Sequence, residues 1–184
     1  PLTKQASASG VMESKVWCPD ESEAWILCDV LRVEPSAAAG ELEVVVELME
    51  TGQERRFPLN ATHPWEPSHD LLLDDVSHLN NLHEGPLLSV VRRRYECDLI
   101  YTDVADVLIS TNPYKHIAGL YELSADEGDW QTTPHVFRVA ERALRAMVAN
   151  KREQSIICSG ESGAGKTEAT KQVMRFLASR SSCG

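Results

Sequence analysis

An α/β fold is predicted from three observations. Period-two apolar patterns crowd the stretch from Lys15 to about Pro58, and an amphipathic helix opens at Thr133-Pro134. An apolar run, Ser155-Ile156-Ile157-Cys158, then leads directly into Gly160-Glu161-Ser162-Gly163-Ala164-Gly165-Lys166-Thr167. The first pattern implies a small β-barrel of the SH3 type, or else a plain β-extension without separate identity. The last matches GxxxxGK[ST] at every fixed position and implies the N-terminal part of a P-loop NTPase core. The expected organisation is a flexible lead over residues 1–14, the SH3-like barrel over 15–60, and the core portion over 61–184, ending just after the helix that follows the loop.

Composition bounds these readings. The chain has 184 residues, 42% hydrophobic and 25% charged, an ordinary globular make-up. A net charge of -10 disfavours a nucleic-acid partner, because binding a phosphate backbone calls for a basic surface. No stretch approaches the roughly 20 apolar residues needed to span a bilayer, and no signal-peptide pattern opens the chain. Pro1 in place of Met points to a chain that begins inside a longer coding sequence. The five cysteines, Cys18, Cys28, Cys97, Cys158 and Cys183, form no CxxC pair. Neither a zinc site nor a redox motif is indicated, and reduced thiols in a cytosolic protein are expected. The six histidines lack ligand spacing and read as structural or surface groups.

Each element follows from local pattern. Residues 1–14 are rich in Ser, Ala and Gly and hold little to bury. Val16-Trp17 and Trp25-Ile26-Leu27 read as strands separated by a turn at Pro19-Asp20. Leu42, Val44, Val46 and Leu48 share one face of a third strand, Thr51-Gly52 supplies a turn, and Arg56-Phe57-Pro58-Leu59 pairs back. Ala61 to Asp70 contains two prolines and reads as a linker. Pro86 to Tyr95 makes a short helix with Leu87, Leu88, Val91 and Tyr95 on one side. Leu99 to Thr102 and Val107 to Ser110 are strands around a turn at Asp103 to Asp106, and Asn112-Pro113 breaks the pattern. Gly119 to Thr133 is polar and reads as a surface loop.

Thr133 caps the clearest helix, with Pro134 at its first position. Val136, Val139, Ala140, Ala143, Leu144 and Met147 form its apolar stripe, Arg138, Arg142 and Arg145 its solvated face, and Asn150 its end. Ser155 to Cys158 is expected to be a buried strand.

The glycine-rich segment carries the chemistry. Glycines let the backbone bend tightly and turn its N–H groups toward phosphate oxygens. A helix starting near Gly165 adds unpaired N–H groups and the positive end of its dipole. Lys166 is expected against the β- and γ-phosphates, and the Thr167 hydroxyl on Mg²⁺. Ala169, Val173, Phe176 and Leu177 would anchor this helix on a sheet, with Glu168 and Lys171 as neighbours on the exposed side. A Gly-rich turn with an incidental lysine does not explain why strand, loop and helix fall in register.

The flanking residues narrow the family. Asn112-Pro113-Tyr114-Lys115, Thr133-Pro134-His135-Val136-Phe137 and Gln154 to Glu168 together resemble a myosin heavy-chain motor domain. Val16-Trp17-Cys18-Pro19-Asp20 resembles the opening of that family's SH3-like subdomain. Leu79 to Glu84, Arg94-Tyr95 and Ile100-Tyr101-Thr102 resemble the segment leading into the motor. The resemblance implies an ATP and Mg²⁺ site made by Gly160, Glu161, Ser162, Gly163, Ala164, Gly165, Lys166, Thr167 and Glu168, with Lys166 as the catalytic cation and Thr167 as the metal ligand. It implies that Asn112 and Pro113 open the purine-holding loop and that Tyr121 closes on the adenine. Seven residues separate Pro113 from Tyr121, one more than in many members. Ala105, where the family usually has Gly, and Gly85, where a small apolar residue is common, point to a divergent, unconventional class.

By the same resemblance, the full-length protein is a Mg²⁺-dependent ATPase that moves on actin filaments. It would be cytoplasmic and cytoskeleton-associated, and would carry light chains or calmodulin. The two switch segments that place the attacking water are not in this stretch, so the 184 residues alone should not turn over. Two other readings are a truncated nucleotide-binding or SH3-like interaction module without motor activity, and a different P-loop ATPase or nucleotide kinase.

Overall fold

A computed structural model describes residues 14–37, 40–122 and 129–181. The expected flexible lead up to residue 13, Cys183 and the middle of the expected 119–133 loop lie outside them. The chain mixes sheet and helix and divides into two compact units, residues 14–69 with 83–85, and residues 70–82 with 86–181.

The first unit is a five-stranded antiparallel sheet in the order β4-β3-β2-β1-β5. Its strands are β1 (Lys15–Asp20), β2 (Ala24–Pro35), β3 (Leu42–Leu48), β4 (Glu54–Pro58) and β5 (His63–Pro64). The sheet is open, with no pairing between β4 and β5 among the described residues. Proline and aspartate at 19–20 stay inside β1, and the turn comes after them, where the Asp20 carboxylate accepts from the Ser22 and Glu23 amides. β5 arises in the stretch expected to be a linker, with His63 opposite Trp17 and Pro64 opposite Val16. Proline is tolerated there because β5 is an edge.

The core of this sheet is Val16, Cys18, Cys28, Val44, Val46 and Leu48, so three of the four residues expected on one face of β3 are inside. Leu42 is exposed, at the open end of the strand. Val45, on the opposite face, is also fully buried, although Glu47 on that same face is exposed. One corner gathers aromatic and imidazole rings. Trp17 donates Nε1–H to Nδ1 of the fully buried His69 at 3.1 Å, and the His63 and His83 rings stack at 4.2 Å. Burial first, then the neighbouring His63 and His69, hold His83 at about 4. Gly85 is glycine for want of room: a Cβ there would lie 3.0 Å from the Trp17 ring.

The second unit contains α1 (Glu84–Glu96) from Pro86 onward, the hairpin β6 (Tyr101–Val104) and β7 (Val107–Ser110), α2 (Val136–Asn150) and α3 (Lys166–Ser181). The inward side of α1 carries Pro86, Val90 and Arg94, whereas the expected face of Leu87, Leu88, Val91 and Tyr95 is only partly covered. Arg94 turns the helix. Its guanidinium is 3% exposed and donates to the Tyr101 carbonyl from Nε and Nη2, and to the Leu73 carbonyl and Asp74 from Nη1. A buried arginine whose three nitrogens all donate in this way is a structural hub that hydrophobic periodicity overlooks.

The main core joins Ile100, Tyr101, Trp130, Val136, Phe137, Ala140, Val173 and Phe176. Phe137 stacks on Phe176 at 5.0 Å, and Trp130 meets Phe176 edge-on at 5.1 Å. Trp130 therefore corrects the reading of 119–133 as surface loop: the segment delivers a large ring to the core. Of the expected solvated face, Arg142 and Arg145 are exposed, Arg142 making a surface pair with Asp106, whereas Arg138 is largely covered and pairs with the buried Asp103 of the hairpin.

Candidate functional site

Helix α2 starts at Val136, two residues later than its Thr-Pro signal, because His135 provides the cap. Its Nδ1 accepts from the Phe137 amide at 3.0 Å, which leaves the proton on Nε2 to donate to the Leu120 carbonyl at 2.9 Å. Burial holds this imidazole at about 4 against the opposing pull of that carbonyl, so it is neutral at pH 7. The helix ends at Asn150 as expected, with Lys151 left-handed beyond it.

From Arg152 to Glu161 the chain forms neither helix nor paired strand among the described residues. The expected buried strand at Ser155–Cys158 is therefore not formed among the described residues. Ile157 is 87% exposed and Cys158 is exposed. A strand needs a neighbouring ladder for its N–H and C=O groups, and no described strand runs alongside. Only Ile156 turns toward the core.

The glycine-rich segment that follows is an irregular loop, not a continuation of the helix. Gly160, Gly163 and Gly165 take φ of 150°, 81° and 97°. A Cβ at Gly163 or Gly165 would meet nothing within 4 Å, so glycine is needed there for backbone conformation and not for space. α3 begins at Lys166 and runs for 16 residues. Lys166 folds its ammonium across the loop and donates to the Gly160 carbonyl at 2.7 Å and the Glu161 carbonyl at 2.6 Å. Glu161, Ser162, Thr167 and Glu168 are exposed, and Ala164 is half-buried. Glu168 pairs with Lys171 at 2.6 Å, as the helical spacing predicts. Val173 and Phe176 bury the other side of α3, with Ala169 and Leu177 half-buried beside them.

Of the residues expected beside an adenine, Asn112 reaches the loop directly: its Nδ2 donates to the Gly163 carbonyl at 2.8 Å. Pro113 accepts at its carbonyl from the Tyr95 hydroxyl at 3.3 Å. Tyr121 lies at the edge of the core, its hydroxyl 2.9 Å from that of Tyr101 and its ring 6.0 Å from His135. Burial, then the Tyr121 hydroxyl, push the Tyr101 phenol well above its ordinary range, so Tyr101 stays protonated. Tyr101 and residues of the loop, including Ser159, Ala164 and Lys166, line a common groove of about 610 Å³. Among the described residues no set of three or more His, Cys, Asp or Glu side chains converges to hold a metal ion, and no helix is long and apolar enough to cross a membrane.

A mixed sheet-and-helix chain with a glycine loop set on a helix N-terminus defines a class; sequence comparison places it within a family. The profile of the myosin head (motor domain) matches residues 73–183, and the chain belongs to that family. Similar proteins include Myosin-15 of Arabidopsis thaliana, 37% identical over 172 residues, which covers 89% of this chain and 11% of that protein. Myosin IC heavy chain of Dictyostelium discoideum is 43% identical over 111 residues, 58% of this chain and 9% of that one. Myosin-14 of Homo sapiens is 36% identical over 167 residues, 89% and 8% respectively. The chain thus spans about a tenth of the length of the curated relatives it matches.

Proposed function

We propose that residues 160–168 hold the β- and γ-phosphates of ATP with Mg²⁺, within the N-terminal part of a P-loop core belonging to an actin-based motor. The observation that carries this reading is the loop itself. Three glycines at positive φ end on the first turn of a 16-residue helix, and the Lys166 ammonium is already drawn over the loop carbonyls. The first amides of a helix have no partner within it, and together with the helix dipole they favour an anion. Lys166 would exchange its two carbonyl partners for phosphate oxygens, a charge-assisted contact of the stronger kind. The Thr167 hydroxyl sits exposed at the second position of α3. One such oxygen fits Mg²⁺, which keeps most of its shell as water and phosphate oxygens. ATP supplies the phosphoanhydride bond whose hydrolysis drives the cycle; this chain's part is to bind and orient its phosphates.

The antiparallel sheet of the first unit is read as the SH3-like subdomain, on the support of its short strands and single enclosed core. Actin, light chains or calmodulin, and a cytoskeletal location in the cytoplasm belong to the full-length protein and rest on the family. Lys166→Ala in the full-length protein tests the site by calorimetry with Mg·ATP. Losing two charge-assisted hydrogen bonds should weaken binding on the order of a hundredfold or more. Affinity equal to that of the parent refutes the assignment.

A further inference from the structure

The loop between Gly160 and Gly165 has three glycines and little to hold it sterically. A segment so permissive samples many conformations unless something outside it fixes one. Lys166 holds the start of the loop through the Gly160 and Glu161 carbonyls, and the Asn112 carboxamide, with both of its ends in use, reaches its apex. Nδ2 donates to the Gly163 carbonyl at 2.8 Å, while Oδ1 accepts from the Tyr114 amide at 3.0 Å. The second bond makes a local turn in which Tyr114 takes φ of 50°. That turn is itself tied down: the Thr111 amide donates to the Ile100 carbonyl at 2.9 Å, and Lys115 pairs with Asp98 at 2.6 Å. The donor therefore stands on a fixed base beside β7 and reaches the apex of the loop.

We propose that Asn112 is a positioning residue for the phosphate loop: its Nδ2–H holds the Gly163 carbonyl and thereby sets the conformation in which the loop amides meet a triphosphate. This role is separate from any contact with a purine, and it rests on the reading of residues 160–168 as a phosphate site. The side chain must offer an acceptor and a donor about one amide apart, which asparagine does. Serine keeps the turn-forming acceptor and is too short to reach Gly163. Aspartate keeps length and acceptor and turns the donor into a second acceptor facing a carbonyl.

The test uses the full-length protein with Asn112→Ser and two probes, Mg·ATP and Mg·tripolyphosphate, the latter having no base. A single hydrogen bond predicts affinity roughly three- to tenfold weaker for both probes. In the nucleotide-free protein, amide exchange across residues 160–165 should be faster, with melting temperature nearly unchanged. Weaker ATP binding with unaltered tripolyphosphate binding and unaltered exchange overturns the proposal in favour of a purine contact. Should Asn112→Ser fold poorly, Asn112→Asp is read by exchange alone, and parental exchange in 160–165 overturns the proposal as well. Lys166→Ala separates the two levels. If it leaves both probes bound as in the parent, the phosphate site itself is wrong, whereas faster loop exchange in Asn112→Ser would still stand.

Discussion

Val44-Val45-Val46 and Ser155-Ile156-Ile157-Cys158 are both short apolar runs, and they end in opposite states. The valines lie in β3 between β2 and β4, and all three are fully buried. In the second run Ile157 is 87% exposed and no ladder forms. The difference is not propensity, since β-branched residues dominate both. It is the presence of strands on either side, which satisfy the backbone in one case only. An apolar run is a request for partners; the fold grants it where the neighbours are at hand.

The largest expected effect tests that contrast. In the 184-residue chain, Val45→Asp puts an unpaired carboxylate into a sealed sheet and should cost about 4 kcal/mol or more. Ile157→Asp changes a solvated side chain and should stay within about 0.5 kcal/mol. Urea denaturation of the two variants measures both. Equal losses would mean that the 155–158 run is enclosed in solution, and the comparison would fail.

A second prediction concerns acid. His135 is neutral in the fold, with its Nδ1 lone pair accepting the Phe137 amide, and is held at about 4 by burial. Its ordinary value is near 6.5, so above that pH both states are neutral and the group has no effect on stability. As pH falls below 6.5 the unfolded chain takes up a proton that the folded chain refuses, and stability drops until about pH 4 is reached. The full loss is on the order of 3 kcal/mol. His135→Asn keeps an N-cap acceptor without a titrating ring and should lessen the pH dependence between 6.5 and 4, with His83, also held at about 4, supplying the remainder. Melting curves of the two proteins at pH 7.5 and 4.5 measure it, and parallel acid losses would place the sensitive group elsewhere.

His135 also shows what a sequence conceals. The Thr-Pro signal located the start of α2 to within two residues, because caps and prolines act locally. That a histidine would be the cap depended on Leu120, fifteen positions earlier, accepting its other nitrogen. Arg94 is similar: helical periodicity marks it as polar, yet carbonyls from Leu73 and Tyr101 make it the most enclosed cation of its helix. Trp130 in a polar stretch and the ion pairs of Arg138 and Arg142 were hidden for the same reason, since their partners are remote in sequence. The glycine loop and the helix start after it were legible because their requirements, glycine at positive φ and a helix opening at lysine, lie within eight consecutive residues. The link from Asn112 to Gly163 spans 51 positions and left no local trace beyond the Asn-Pro break.

The smallest effect expected concerns the other sheet. β6 and β7 form a two-stranded hairpin, and such a pair depends on its turn more than the five-stranded sheet does. Ala105 stands where the resemblance leads one to expect glycine, and the turn there is left-handed nonetheless, with φ of 53°. The Ala105 amide donates to Asp75 at 3.1 Å, which helps to hold a conformation that a Cβ disfavours by about 1 kcal/mol. Ala105→Gly relieves that strain and retains the amide, while the unfolded chain gains freedom that offsets part of the benefit. A net gain of about 0.5 kcal/mol is expected, seen as a higher urea midpoint with unchanged slope. A lower midpoint would show that the alanine methyl contributes contacts outweighing its backbone strain, and the hairpin would then owe its stability to packing and not to its turn.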